Sequence, residues 1–85
     1  MASYRVLLKR SAAKELEALE LKDRRRVVRR IQELAADPRP AGCEKLSGQD
    51  KYRLRQGDYR ILYSVDDSGF EVTVVKIGHR RDVYR

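Results

Sequence analysis

Cysteine and histidine are nearly absent from this sequence. Cys43 is the only cysteine, which excludes an intramolecular disulfide and any cysteine-based metal site. His79 is the only histidine and cannot build a metal site alone. No apolar stretch approaches the length of a membrane span, and residues 1–9 lack the apolar core of a signal peptide. We therefore expect a cytoplasmic protein with no membrane association, no metal and no cofactor. Repeats, low-complexity tracts and linkers are also missing, so a single domain over residues 1–85 is expected.

What the chain does have is charge. Lys and Arg total 20 against 13 Asp and Glu, a formal net charge of +7. The hydrophobic share of 41% supplies one thin core, and the charged share of 39% supplies a heavily charged exterior. Such an excess of cations in a small domain points to a polyanionic partner, either nucleic acid or an acidic protein. Both readings hold together if an inhibitor competes with nucleic acid for one surface.

Residues 3–9 alternate loosely, with Tyr4, Val6 and Leu8 on one side, and read as a strand. Ser11 is a plausible N-cap for a helix carrying Ala12, Leu16 and Leu19. A second helix is expected from about Asp23 to Ala36, with Val27, Val28, Ile31, Leu34 and Ala35 inward and arginines elsewhere. Asp37-Pro38-Arg39-Pro40 ends it, since proline lacks the amide hydrogen and restricts the residue before it. An irregular connection through Gly42 and Gly48 should follow. Lys51–Arg55 reads as a strand with Tyr52 and Leu54 on one face and Arg53 and Arg55 on the other. Gln56-Gly57-Asp58 makes a hairpin turn, with Gly57 able to supply a positive φ. Tyr59, Ile61, Tyr63 and Val65 then alternate against Arg60, Leu62 and Ser64, and a last strand runs from Phe70 to Ile77. The order β-α-α-β-β-β implies an α+β domain, two N-terminal helices packed on one face of a small antiparallel-dominated sheet.

The chemistry concentrates in the C-terminal half. Arg53, Arg55, Arg60, Arg80 and Arg81 can converge on one positive face if the last three strands are neighbours, with Tyr84 nearby. Guanidinium groups bind phosphate bidentately and stay charged at physiological pH. A phenol beside them can stack on a base and exchange a proton. RNA carries its own nucleophile, the 2′-hydroxyl, so a protein can cleave it without metal. It must orient that hydroxyl, stabilise the charge on phosphorus and protonate the leaving oxygen. The chain lacks a pair of carboxylates placed for two metals, and it lacks a Ser-His-Asp set. Alternation along the last strand places His79 with Ile77 rather than with Arg80.

Several segments together resemble the RelE/ParE toxin superfamily. Lys45-Leu46-Ser47-Gly48 and the run Tyr52 to Tyr63 look like its central signature, and Ile77 to Tyr84 is similar to its RelE branch. The opening Tyr4-Arg5-Val6, the Ala12 to Leu16 helix and the Asp37-Pro38 break match too. The resemblance implies a ribosome-dependent mRNA interferase of a type II toxin–antitoxin system, neutralised by a RelB-type antitoxin. Such toxins cut messenger RNA in the ribosomal A site and leave a 2′,3′-cyclic phosphate and a 5′-hydroxyl. By position, Arg60 would clamp the scissile phosphate, Arg80 would stabilise it or protonate the leaving oxygen, and Tyr84 would stack on or orient the substrate. Arg53 stands where the best-known members place a lysine thought to act as base, and arginine is a poor base. That duty would pass to Lys51, Lys45 or Tyr84, leaving Arg53 as an electrostatic anchor. Lys45, Lys51, Arg55 and Arg81 complete the expected substrate-binding set.

Two other functions fit the same elements. One is a ParE-like inhibitor that binds DNA gyrase without nuclease chemistry; the other is a weakened toxin that acts only as a binding module. Arg80 and Tyr84 favour the RelE branch over the gyrase binder, while Arg53 in place of a basic lysine keeps the binding module open. The bland alternative for Arg53, Arg55 and Arg60 is an ordinary solvated sheet face. Tyr52, Tyr59 and Tyr63 read as core or strand-forming residues, and the Arg24–Arg30 run as a solvated helix face.

Overall fold

A computed structural model of the chain describes residues 3–46 and 50–80. Its elements are β1 (Arg5–Leu8), α1 (Arg10–Glu17), α2 (Leu21–Glu33), β2 (Glu44–Lys45), β3 (Lys51–Gln56), β4 (Tyr59–Asp66) and β5 (Glu71–His79). The sheet order is β1-β5-β4-β3-β2. Only β1 runs parallel to its neighbour, and the other three pairings are antiparallel. The α+β architecture with both helices on one face is the one expected. The stretch expected to be irregular differs, because Glu44 and Lys45 pair with Arg53 and Tyr52 as a short edge strand.

Both helices begin earlier than their sequence signals. Lys9, not Ser11, caps α1, and its side chain makes no capping bond. The Lys9 N–H instead donates to the Val74 carbonyl at 2.9 Å, so pairing with β5 decides where the chain leaves the sheet. Helix α2 likewise starts at Leu21 and closes at Glu33, with Leu34 as its C-cap. Against the sheet, Ala12, Val27, Ile31 and Leu34 pack on Tyr52, Leu54, Ile61, Tyr63, Val65, Val72, Val74 and Ile77. A fully buried aliphatic side chain of this kind contributes roughly 1.5–3 kcal/mol relative to exposure.

A bulge in β5 decides which way the end of that strand faces. Leu62 pairs with Lys76 but Tyr63 pairs with Val74, so Val75 is the extra residue. The bulge reverses the strand's parity: Val72 and Val74 face the helices before it, and Ile77 faces them after it. Strand β1 ends level with Val74, and α1 takes over β5's edge beyond that point. The Ile77 N–H donates to Glu15 Oε1 at 2.9 Å, and Lys76 Nζ lies 3.4 Å from Glu15 Oε2.

At the far end of the sheet a polar network fastens the loop after α2. The Arg39 guanidinium donates twice to Asp67, at 3.1 and 2.7 Å, and once to the Tyr52 hydroxyl at 2.9 Å. It also lies 5.1 Å from the centre of the Tyr52 ring. Tyr4 donates to Asp67 at 2.7 Å, and the buried Tyr63 donates to the Pro38 carbonyl at 2.7 Å. Hydrogen bonds from Arg39 and Tyr4 hold the Asp67 carboxyl down at about 2. Burial pushes the Tyr63 phenol up. Among the described residues, no helix is long and apolar enough to cross a membrane.

Candidate nucleic-acid interface

The β3–β4 hairpin turns on Gly57, at φ 60°, and Asp58, one residue shorter than the expected Gln56-Gly57-Asp58 turn because Gln56 pairs with Tyr59 as the end of β3. That turn sets the register in which Arg53 faces Leu62 and Arg55 faces Arg60. Arg60 is in turn the partner of Gly78 on β5, a residue with no side chain to add. Beside the turn, the Arg80 N–H donates to the Asp58 carbonyl at 2.8 Å. Arg55, Arg60 and the backbone of Arg80 therefore meet at one end of the sheet, while Lys51 shares their face at the opposite end of β3.

The members of this group differ in state. Arg55 and Arg80 are exposed. Arg60 is only 4% exposed, contrary to a solvated sheet face, and its NH1 donates to the carbonyls of Tyr59 (3.2 Å) and Gly57 (3.4 Å). A guanidinium in so dry a position acts on a neighbouring anion more strongly than one in bulk water. Arg53 is ion-paired with Glu44 across the β2–β3 ladder at 2.8 Å, which suits an anchor and agrees with its weakness as a base. Lys45 does not join the group. It pairs with Tyr52, so it stands on the helix-covered side of the sheet, opposite to Arg53, Arg55 and Arg60. The unexpected β2 strand is the reason, since its register assigns Lys45 a face. Arg81 and Tyr84 lie outside the described residues.

On the other face of the same hairpin lies a cavity of about 240 Å³ that sequence reading did not anticipate. It is lined by Asp23 and Arg26 of α2, the hairpin turn, Tyr59 and His79. Tyr59 and His79 are cross-strand partners whose rings meet edge to face at 5.8 Å, so His79 sits on Ile77's side of the sheet, as its alternation implied. The Tyr59 hydroxyl donates to Asp23 Oδ2 at 3.4 Å. Burial, together with the Asp23 charge, raises the Tyr59 pKa. The parity of Tyr59 and His79 was readable in the sequence. The approach of Asp23 and Arg26 was not, because it depends on how α2 lies over the hairpin. Among the described residues, no group of three or more His, Cys, Asp or Glu is placed to hold a metal ion.

Comparison with known proteins gives a consistent picture. Residues 6–84 match the family model described as the ParE toxin of type II toxin–antitoxin system, parDE. Over 34 residues the chain is 41% identical to Toxin RelG of Mycobacterium tuberculosis, a match spanning 40% of this chain and 39% of that toxin. The fold is similar to the crystal structure of a RelBE toxin–antitoxin complex from Mycobacterium tuberculosis, with a TM-score of 0.82 and 26% identity. That similarity covers 93% of this chain and 100% of the other. It is also similar to an arginine-to-alanine variant of E. coli toxin RelE in the free state, with a TM-score of 0.78 and 30% identity over 96% of this chain and 90% of that one.

Proposed function

The chain belongs to the ParE toxin family, within the RelE/ParE superfamily of type II toxin–antitoxin toxins, and we propose that it is a ribosome-dependent endoribonuclease of the RelE kind. In this reading a single RelE-like domain over residues 1–85 acts in the cytoplasm on messenger RNA in the ribosomal A site. A RelB-type antitoxin silences it. The observation that carries the proposal is the direct opposition of Arg55 and Arg60 across the ladder. Like charges in that position destabilise a sheet. Their cost is lowered further when a phosphate lies between them, beside a turn to which the Arg80 backbone is tied.

The mechanism follows from the groups present. Arg60 holds the scissile phosphate, and Arg55 and Arg80 neutralise the charge that builds on it. The ribose 2′-hydroxyl gives its proton to Lys51 or Tyr84 as its oxygen attacks phosphorus. The bond to the 5′-oxygen breaks, and that oxygen takes a proton from Arg80 or water, so the products are a 2′,3′-cyclic phosphate and a 5′-hydroxyl. Tyr84 stacks on or orients the substrate; Arg53, fixed by Glu44, serves as an electrostatic anchor, and Lys51 and Arg81 add further cations for the substrate. The antitoxin is expected to present an acidic and apolar segment that wraps the helices or adds to a sheet edge, so co-expression should restore growth.

Brief induction in cells, with 5′ ends mapped on a translated message, tests the reading. Codon-phased cuts that depend on translation and vanish in Arg80→Ala are expected. The ParE family match supports a second reading, gyrase inhibition by binding. Growth arrest with DNA-damage signalling and no cuts would establish that one instead. Normal growth without cuts would leave a binding module.

A further inference from the structure

The cavity behind the hairpin takes no part in the chemistry above, yet its position and lining suit a specific ligand. At about 240 Å³ it is smaller than sites for drug-sized molecules, which span about 300–1,000 Å³, so it suits a flat fragment rather than a whole nucleotide. The Tyr59 and His79 rings give it an aromatic wall, on which a base can stack. Asp23 and Arg26 supply an acceptor and a donor that are not spent on each other. Among the described residues Arg26 makes no ion pair, and Asp23 Oδ1 receives no hydrogen bond. Stacking surface, carboxylate and guanidinium together are what the edge and face of a nucleobase require.

The cavity also lies where such a base would arrive. Tyr59 precedes Arg60 and His79 precedes Arg80, so each pair straddles the sheet, and the cavity and the cation group sit back to back across the hairpin turn. Gly57 at the crossing has no side chain, and a Cβ placed there would meet nothing within 4 Å. The space beside Gly57 is therefore open between the two faces, with the exposed Asp58 as its neighbour at the turn. We propose that the cavity is a nucleobase subsite for the residue adjoining the bound phosphate. It favours bases with an exocyclic amine, because the Asp23 carboxylate can only accept and such an amine offers two N–H donors where uracil offers one ring N–H. This subsite rests on the RNA-cleaving reading for its biological role.

Titrating ¹⁵N-labelled protein with the four 3′-mononucleotides, and with inorganic phosphate alone, tests the subsite directly. Adenine, cytosine and guanine nucleotides should move the amides of the cavity residues Asp23, Arg26 and His79, with the uracil nucleotide weakest. Phosphate alone should move Arg55 and Arg60 and leave the cavity amides in place. Asp23→Ala and the surface variant Arg26→Ala should each weaken nucleotide binding by about tenfold, the scale of one lost paired contact. Nucleotides that shift only what phosphate shifts would overturn the subsite. Mapping of cut sites separates the two proposals: cuts whose neighbouring-base preference is the same in Asp23→Ala, Arg26→Ala and wild type would sink the subsite while cleavage stands. Were the wild type to make no cuts, the cleavage reading would fall, and the titration would still decide whether a base binds here.

Discussion

At the β4–β5 turn, Arg39 is surrounded by the Asp67 carboxylate, the Tyr52 hydroxyl and the Tyr52 ring. At the β3–β4 hairpin, the opposite end of the same strands, Arg55 faces Arg60. The first arrangement satisfies a cation locally and fastens the loop after α2 to the sheet. The second places two cations against each other and buries one of them. Arg60 donates to the Tyr59 and Gly57 carbonyls, so the contrast lies in what faces each cation across the strands: a carboxylate and a phenol at one end, a second arginine at the other. The intermediate case is Arg53, one step along the sheet from the hairpin and paired with Glu44.

The sharpest way to break this contrast is Arg60→Met, which keeps bulk and removes charge. Cleavage measured by mapped 5′ ends should fall on the order of 10²–10³-fold, as for loss of one transition-state donor. The thermal midpoint should fall only slightly, since relief of the like-charge pair partly offsets loss of the bonds to the Tyr59 and Gly57 carbonyls. Parallel loss of both would make Arg60 a structural arginine and erase the distinction. At the other end, Tyr63→Phe strands the Pro38 carbonyl in the core and should cost about 1–3 kcal/mol by urea unfolding, with cleavage unchanged.

Acid should act on the same end. The Asp67 carboxyl titrates at about 2 when folded against an ordinary 3.8, so its contribution is complete above about pH 4 and disappears as pH falls toward 2. Unfolding of Asp67→Asn should therefore depend less on pH across that window. An identical slope in wild type and variant would mean that the Arg39 network does not hold the loop. The smallest effect is expected from Glu44→Gln, which removes the carboxylate beside Arg53. RNA affinity should rise slightly at low salt, and the gain should fade as salt is added.

Much of the fold was legible in the residues. Alternation located β3, β4 and the main part of β5, and Gly57 with its neighbours located the hairpin. The opposition of Arg55 and Arg60 was not legible, because the expected turn Gln56-Gly57-Asp58 sets Arg55 against Tyr59, whereas Gln56 pairs with Tyr59 and shifts the register by one. The side of the sheet taken by His79 was legible, because the alternation from Ile77 onward is unbroken. The β2 strand escaped notice because two residues carry no periodicity, and with it went the face on which Lys45 lies. Ser11 misled because a local capping signal was outweighed by a hydrogen bond from Lys9 to a strand far along the chain. Phe70 similarly reads as strand by composition, but it occupies the turn before β5 with a φ of 51°.

By itself the sequence determined the balance of charge, the two helices, the paired strands and the identity of the cations near the hairpin. These depend on neighbours a few residues apart, where periodicity and turn chemistry act. Only the tertiary structure decided which cations are buried, which are paired, and that a cavity opens behind the hairpin. Burial and pairing depend on how α2 and β2 meet β3 and β4, contacts between residues far apart in the chain that no local pattern records.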